Sequence, residues 1–221
     1  MHKAILFDLD GTLHNRPKSL VTFFRDQCER FSMNVDLNRF VELDNEGMRW
    51  KDEVYEQLVK EYQLPLDPQQ LLADYVTLFP RFAQLYPDVE HTLEQLKAKD
   101  YKLGIISNGK KGFQRAVFNS LSINEYFESV IISDEVGLRK PDARIFALGI
   151  EQLNVQPEQA LYVGDQYDTD IIGSRNKGLK AAWKTNEQVD SDAHFQFSSW
   201  RQFIPKLQQL EGETWSSAKQ K

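Results

Sequence analysis

The stretch Ala4-Ile-Leu-Phe-Asp-Leu-Asp-Gly-Thr-Leu13 decides the fold. Its apolar start lacks polar alternation, the pattern of a strand covered on both faces. It ends in two acids, Asp8 and Asp10, and in Gly11, which permits a turn. Alternate residues of a strand project to the same side, so both carboxylates leave its end together. Crowded there, they repel each other and lose hydration, and a divalent cation with oxygen ligands relieves both effects. The same setting suits one carboxylate as nucleophile toward an anionic substrate. Taken alone, the stretch also reads as an ordinary strand-to-turn junction with solvated acids.

Working outward, further short apolar runs end in polar turn residues at 103–107, 130–133, 161–164 and 181–183. Between them lie helical patterns over 89–99, 113–121, 142–153 and 168–177, each with an apolar stripe at helical spacing. Strand and helix alternate, which predicts an α/β fold: a Rossmann-like parallel sheet with helices on both faces and right-handed crossovers. From residue 15 to about 86 the alternation fails and only helix-like stretches occur, marked by Leu20, Phe23, Phe24, Val54, Leu58, Leu71 and Tyr75. This reads as an α-helical cap inserted after the first strand, placed over the carboxyl edge of the sheet where ligands of open α/β sheets bind. The expected division is a catalytic core of 1–14 and 88–211, a cap of 15–87, and a polar tail of 212–221.

Bulk properties narrow the class. With 221 residues, 41% of them hydrophobic, the chain can bury a substantial core. The net charge of −6 and the lack of a long basic run argue against a nucleic-acid partner. The single cysteine, Cys28, excludes a disulfide framework, fits a reducing compartment and reads as a packed thiol. No apolar run of 18 residues exists and no signal-peptide pattern opens the sequence, so no membrane association and a cytoplasmic location are expected. A monomer or homodimer is expected.

Three more segments follow the second to fourth strands. Ile105-Ile-Ser-Asn-Gly109 offers a hydroxyl and backbone N–H groups to phosphate oxygens, through Ser107 and around Asn108. Leu138-Arg-Lys-Pro-Asp142 sets Lys140 before a helix N-terminus, where a cation and the helix dipole favour an anion. Val163-Gly-Asp-Gln-Tyr-Asp-Thr-Asp170 ends a buried strand with Asp165 and, five residues on, Asp170. Each piece has a plain reading as turn, solvated lysine or helix cap. All four nevertheless fall, in order, on one side of one predicted sheet.

Together these segments resemble the haloacid dehalogenase-like hydrolase superfamily, mostly phosphatases: Phe7-Asp-Leu-Asp-Gly-Thr-Leu13, Ser107-Asn-Gly109, Lys140-Pro-Asp142, and Gly164-Asp165 with Asp170. The resemblance implies that Asp8 is the nucleophile and Asp10 the acid and then base, with Ser107 and Lys140 stabilising the transferring phosphoryl group. It implies Mg²⁺ held by Asp8, the backbone carbonyl of Asp10, and Asp165. It also implies phosphate contacts from Gly11, Ser107, Asn108 and Lys140, with Thr12 and Asp170 in support. Asp10 favours the phosphatases over the dehalogenase branch, which lacks this second aspartate. A phosphomutase, or a non-catalytic binding protein that keeps the fold, remains the alternative to a small-metabolite phosphatase. His14 reads as a partly exposed hinge residue. In the insert, Arg49 or Lys51 could grip a second anionic group and Trp50 could stack on a base or sugar. The plainer alternative packs Trp50 between helices and leaves the cations in water.

Overall fold

The computed structural model describes residues 3–187 and 189–218. In chain order it runs β1 (Ala4–Phe7), α1 (Arg16–Arg30), α2 (Leu37–Asp44), α3 (Lys51–Glu61), α4 (Pro68–Leu78), α5 (Val89–Lys97), β2 (Lys102–Ser107) and α6 (Phe113–Ser120). It continues with β3 (Ser129–Ile132), α7 (Ser133–Val136), α8 (Ala143–Gln152), β4 (Ala160–Gly164), α9 (Gly173–Asn176), β5 (Lys180–Lys184), β6 (Phe195–Phe197) and α10 (Phe203–Ala218). The chain divides into two compact units, Met1–His14 with Leu85–Lys221, and Asn15–Gln84. The backbone of 212–218, read as part of a polar tail, continues α10; the last three residues lie outside the described ones.

The first unit holds one parallel sheet in the order β3-β2-β1-β4-β5-β6. β1 lies between β2 and β4, with Phe7 opposite Ile105 on one side and Val163 on the other. The connections turn back between β1 and β4, and such a reversal opens a crevice at the carboxyl ends of the strands. β6 was not expected: Phe195-Gln-Phe197 is a three-residue edge strand beside β5, too short to register as an apolar run.

The lack of alternation in the strands is explained by packing on both faces. Leu6, Ile106 and Tyr162 belong to a cluster with Ile145, Phe146 and Ile150 of α8, while the next residue, Phe7, meets Trp200 and Phe203 on the opposite face. Phe7 is fully buried, and truncating a buried phenylalanine costs about 3–5 kcal/mol. α8 approaches the sheet closely at Gly149, where an added Cβ would stand 2.8 Å from Ile106 Cδ1.

The second unit is helical. Asn15, Asp36 and Asp67 cap α1, α2 and α4 by accepting from the N–H groups of Lys18, Asn38 and Gln69. Phe24 stacks on Phe40 at 3.7 Å, and Phe23 meets Tyr75, Phe79 and Phe82 edge-on. Cys28 is half-buried and its thiol is pushed up to about 11 by burial, as fits a packed, unreactive thiol. Among the described residues no helix is long and apolar enough to cross a membrane.

Candidate active site

The loops that leave β1, β2 and β4 converge with the segment before α8, all inside the first unit. Asp8 follows β1 directly, and its N–H still donates to Val163 of β4 at 2.8 Å, so the sheet itself sets where the carboxylate starts. After it the chain folds back on itself. Leu13 N–H and His14 N–H both donate to Leu9, and Gly11 N–H donates to His14. Gly11 has a φ of +81°, and an added Cβ there would stand 2.3 Å from Asp165 Oδ2. The turn thus needs glycine for its conformation and for the close approach of a carboxylate.

Lys140 is the centre of charge. Its Nζ donates to Asp8 Oδ1 at 2.5 Å, to Asp170 Oδ1 at 2.7 Å and to the Tyr162 hydroxyl at 2.9 Å. The Tyr162 hydroxyl donates in turn to the Ile106 carbonyl at 3.0 Å. Lys140, Asp170 and Asp8 are all buried. The backbone of Lys140 is held by Asn108, whose Nδ2 donates to the Lys140 carbonyl and whose Oδ1 accepts from its N–H. Asn108 therefore spends its side-chain amide on fixing the lysine.

Asp8, Asp165 and Asp170 each bring a carboxylate oxygen within 4.8 Å of the other two. Asp165 accepts from Thr12 Oγ1 at 2.9 Å and from Gln166 Nε2 at 3.1 Å, and its carbonyl accepts from Trp183 Nε1. Asp170 lies against Gly164, where a Cβ would stand 2.4 Å from it, and its Oδ2 accepts from Gln166 N–H. It is carried by a single wide turn, Tyr167–Ile172, with π-type hydrogen bonding in place of the regular helix start expected from 168.

Electrostatics follow from this crowding. Burial, with the charges of Asp170 and Asp165, holds the Asp8 carboxyl well above the usual carboxylate range even though Lys140 pulls it down. Burial also pushes Asp165 up to about 6, with Asp170 adding to the effect. Burial alone would lower Lys140, yet Asp170 and Asp8 more than offset it and hold the ammonium well above its ordinary range. One lysine thus stands against three carboxylates. A divalent cation with oxygen preference fits this donor set on charge and ligand type alone.

Asp10 is arranged differently. Its Oδ1 lies 2.5 Å from His14 Nδ1, and its Oδ2 accepts from Gln114 Nε2 at 2.8 Å. Gln114 Nε2 also donates to Ser107 Oγ at 3.0 Å. His14, read from sequence as a partly exposed hinge residue, is fully buried, because its ring is turned onto Asp10. Lys184 Nζ donates to the Gly11 carbonyl at 2.8 Å and lies 3.6 Å from the Tyr86 ring centroid.

Gln114, Tyr162 and Lys184 carried no short-range motif and were not anticipated. Tyr162 does leave a trace, as the one hydroxyl in an otherwise aliphatic strand. The three residues of the helical unit are distributed unevenly. Lys51 is buried and pairs with Asp44, which also accepts Arg16 through both oxygens. Arg49 donates to Glu53 and Gln57, and Trp50 is 56% exposed. The plainer reading is thus reversed for two of them: the lysine is inside because buried Asp44 binds it, and the tryptophan faces solvent.

The haloacid dehalogenase-like hydrolase family profile matches residues 5–184. A glyceraldehyde 3-phosphate phosphatase of Methanopyrus kandleri is 34% identical over 81% of this chain and 82% of its own length. A phosphoglycolate phosphatase of Aquifex aeolicus is 27% identical over 85% and 89%. The crystal structure of a phosphatase from Thermococcus onnurineus superposes with a TM-score of 0.64 at 30% identity, covering 93% of this chain and 97% of that one. A match that runs from the first strand to the end of the fifth, through every loop that meets at Lys140, makes this chain a member of the haloacid dehalogenase-like hydrolases.

Proposed function

We propose that this phosphatase of the haloacid dehalogenase-like family hydrolyses a small sugar phosphate or phosphorylated hydroxy acid, with Asp8 as nucleophile and Mg²⁺ as cofactor. The observation that carries the reading is Lys140 held between Asp8 and Asp170 with Asp165 beside them, at the crevice between β1 and β4. Asp8 attacks phosphorus in line; its carboxylate oxygen bonds to phosphorus as the ester P–O bond breaks. Asp10 gives its proton to the departing alkoxide. It then takes a proton from water, whose oxygen attacks phosphorus and frees Asp8 with release of inorganic phosphate. Lys140, a point charge bonded to Asp8, and Ser107, a hydroxyl at the end of β2, would stabilise charge on the transferring oxygens.

Mg²⁺, when bound, neutralises the clustered carboxylates and the substrate's negative charge. Asp8, Asp165 and the Asp10 carbonyl would hold it, with Asp170, bonded to Lys140, in support. Support for the substrate class comes from the named activities of the relatives. We assign Asn15–Gln84 the role of substrate-selecting cap, with Arg49 and Trp50 as its candidate contacts and Lys51 as the residue that holds Asp44.

The test is phosphate release from glyceraldehyde 3-phosphate, phosphoglycolate and nucleoside monophosphates, with Mg²⁺, with chelator, and with Asp8→Asn. Metal-dependent turnover that falls at least about a thousandfold in Asp8→Asn is the expected outcome. Turnover of a phosphoester that survives Asp8→Asn would overturn the mechanism.

A further inference from the structure

Gln114 is a buried amide, 3% exposed, on the first turn of α6. A buried amide that is not satisfied is costly, so its partners report what the site requires of it. One Nε2 group carries two hydrogens, and here they go to two different groups: Asp10 Oδ2 at 2.8 Å and Ser107 Oγ at 3.0 Å. The side chain reaches both by crossing Gly109, where an added Cβ would stand 2.9 Å from Gln114 Oε1 and 3.0 Å from its Cδ. The glycine of the Ser107-Asn-Gly109 turn thus supplies the space in which this amide lies. The other oxygen of Asp10 is taken by His14 Nδ1, and the His14 ring is immobilised by complete burial and by backbone bonds to Leu9 and Gly11.

We propose that Gln114 and His14 are positioning residues for Asp10: together they fix both oxygens of its carboxylate, and Gln114 ties that orientation to the phosphate-facing hydroxyl of Ser107. The proposal rests on the reading of Asp10 as the proton donor to the leaving oxygen. A carboxylate on a two-bond side chain has rotational freedom, and misorientation by about an ångström lowers the probability of proton transfer steeply. Two fixed hydrogen-bond partners on rigid elements, a helix start and a closed turn, remove that freedom before substrate arrives.

The leaving group separates this role from a structural one. An alkoxide needs a proton as it departs, whereas 2,4-dinitrophenolate leaves without one. The ratio kcat/KM reports only the steps up to aspartyl-phosphate formation. Gln114→Met keeps the volume and removes both donors; His14→Phe keeps the ring and removes the nitrogen; His14→Asn returns a donor near the Nδ1 position. We expect His14→Phe to lose about tenfold or more in kcat/KM for glyceraldehyde 3-phosphate and less than about threefold for 2,4-dinitrophenyl phosphate, with His14→Asn partly restored; Gln114→Met, which also releases Ser107, should lose severalfold more on the alkyl ester than on the aryl one. In an Asp10→Asn background, His14→Phe should cost less than about threefold on the alkyl ester, since the group it positions is already gone.

Equal losses on both esters, or full additivity with Asp10→Asn, would overturn the proposal. If Gln114→Met or His14→Phe does not fold, Gly109→Ala, whose methyl group would press on Gln114, must give the same leaving-group dependence or the proposal fails. Failure of the reading beneath it looks different: the unsubstituted protein then releases phosphate from neither ester, or Asp10→Asn leaves the alkyl ester unaffected.

Discussion

At the scale of single residues, the site is a problem of burying charge. Lys140 makes three hydrogen bonds from one ammonium, two to carboxylates and one to the neutral hydroxyl of Tyr162. The tyrosine hydroxyl accepts from the lysine and donates to Ile106, so it passes the lysine's demand on to the backbone of β2. Tyr162→Phe removes that link without changing shape. It should lower stability by about 1–2 kcal/mol, read from the denaturant midpoint, and lower kcat with little change in KM. An unchanged midpoint would show that the hydroxyl carries no part of the load. The acids, the lysine and the serine were legible in sequence because each ends a strand or opens a helix at a fixed offset. Gln114 and Tyr162 were not. Their roles depend on what lies across the crevice, 104 residues away for Gln114 and Asp10, and no spacing along the chain encodes that.

At the scale of elements, the parallel strands were readable because a run covered on both faces needs no alternation. The edge strand β6 escaped, being short and mixed in polarity. The insert read as helical from its apolar spacing, but the burial of Lys51 was set by Asp44, a buried acid on another helix. The turn after β1 makes the sharpest demand on sequence. Gly11→Ala must place a methyl group where Asp165 Oδ2 lies, in a backbone conformation that costs alanine about 1–3 kcal/mol. The turn or the carboxylate has to move. The expected result is a Mg²⁺ requirement for activity displaced at least tenfold upward, measured by titrating metal against turnover. A titration that superimposes on that of the unsubstituted protein would show that this close approach is not needed for metal binding.

At the scale of the whole molecule, the acid cluster trades stability for function. Burial raises Asp165 to about 6, so between its ordinary value near 3.8 and that value the folded chain binds more protons than the unfolded one. Stability of the metal-free protein should therefore fall as pH rises through this window, the reverse of the usual salt-bridged carboxylate. Asp8, raised by the same burial, adds to the slope in the same direction. Mg²⁺ binds the deprotonated acids, so its stabilising effect should grow with pH. Thermal melts at pH 5 and 7.5, each with chelator and with excess Mg²⁺, should show the larger metal-induced rise in Tm at pH 7.5. A larger rise at pH 5 would contradict the assignment of these acids as the metal site. The central strand has a consequence of another kind. β1 is flanked by β2 and β4, and Thr12 meets Asp165 across 153 residues of chain. At about 5–20 residues per second of synthesis, the strand that leads to Asp8 waits on the order of 10–30 s for its second neighbour. For that interval the apolar strand keeps at least one hydrogen-bonding edge open, so the segment that carries Asp8 is exposed to misassembly while the chain is still being made.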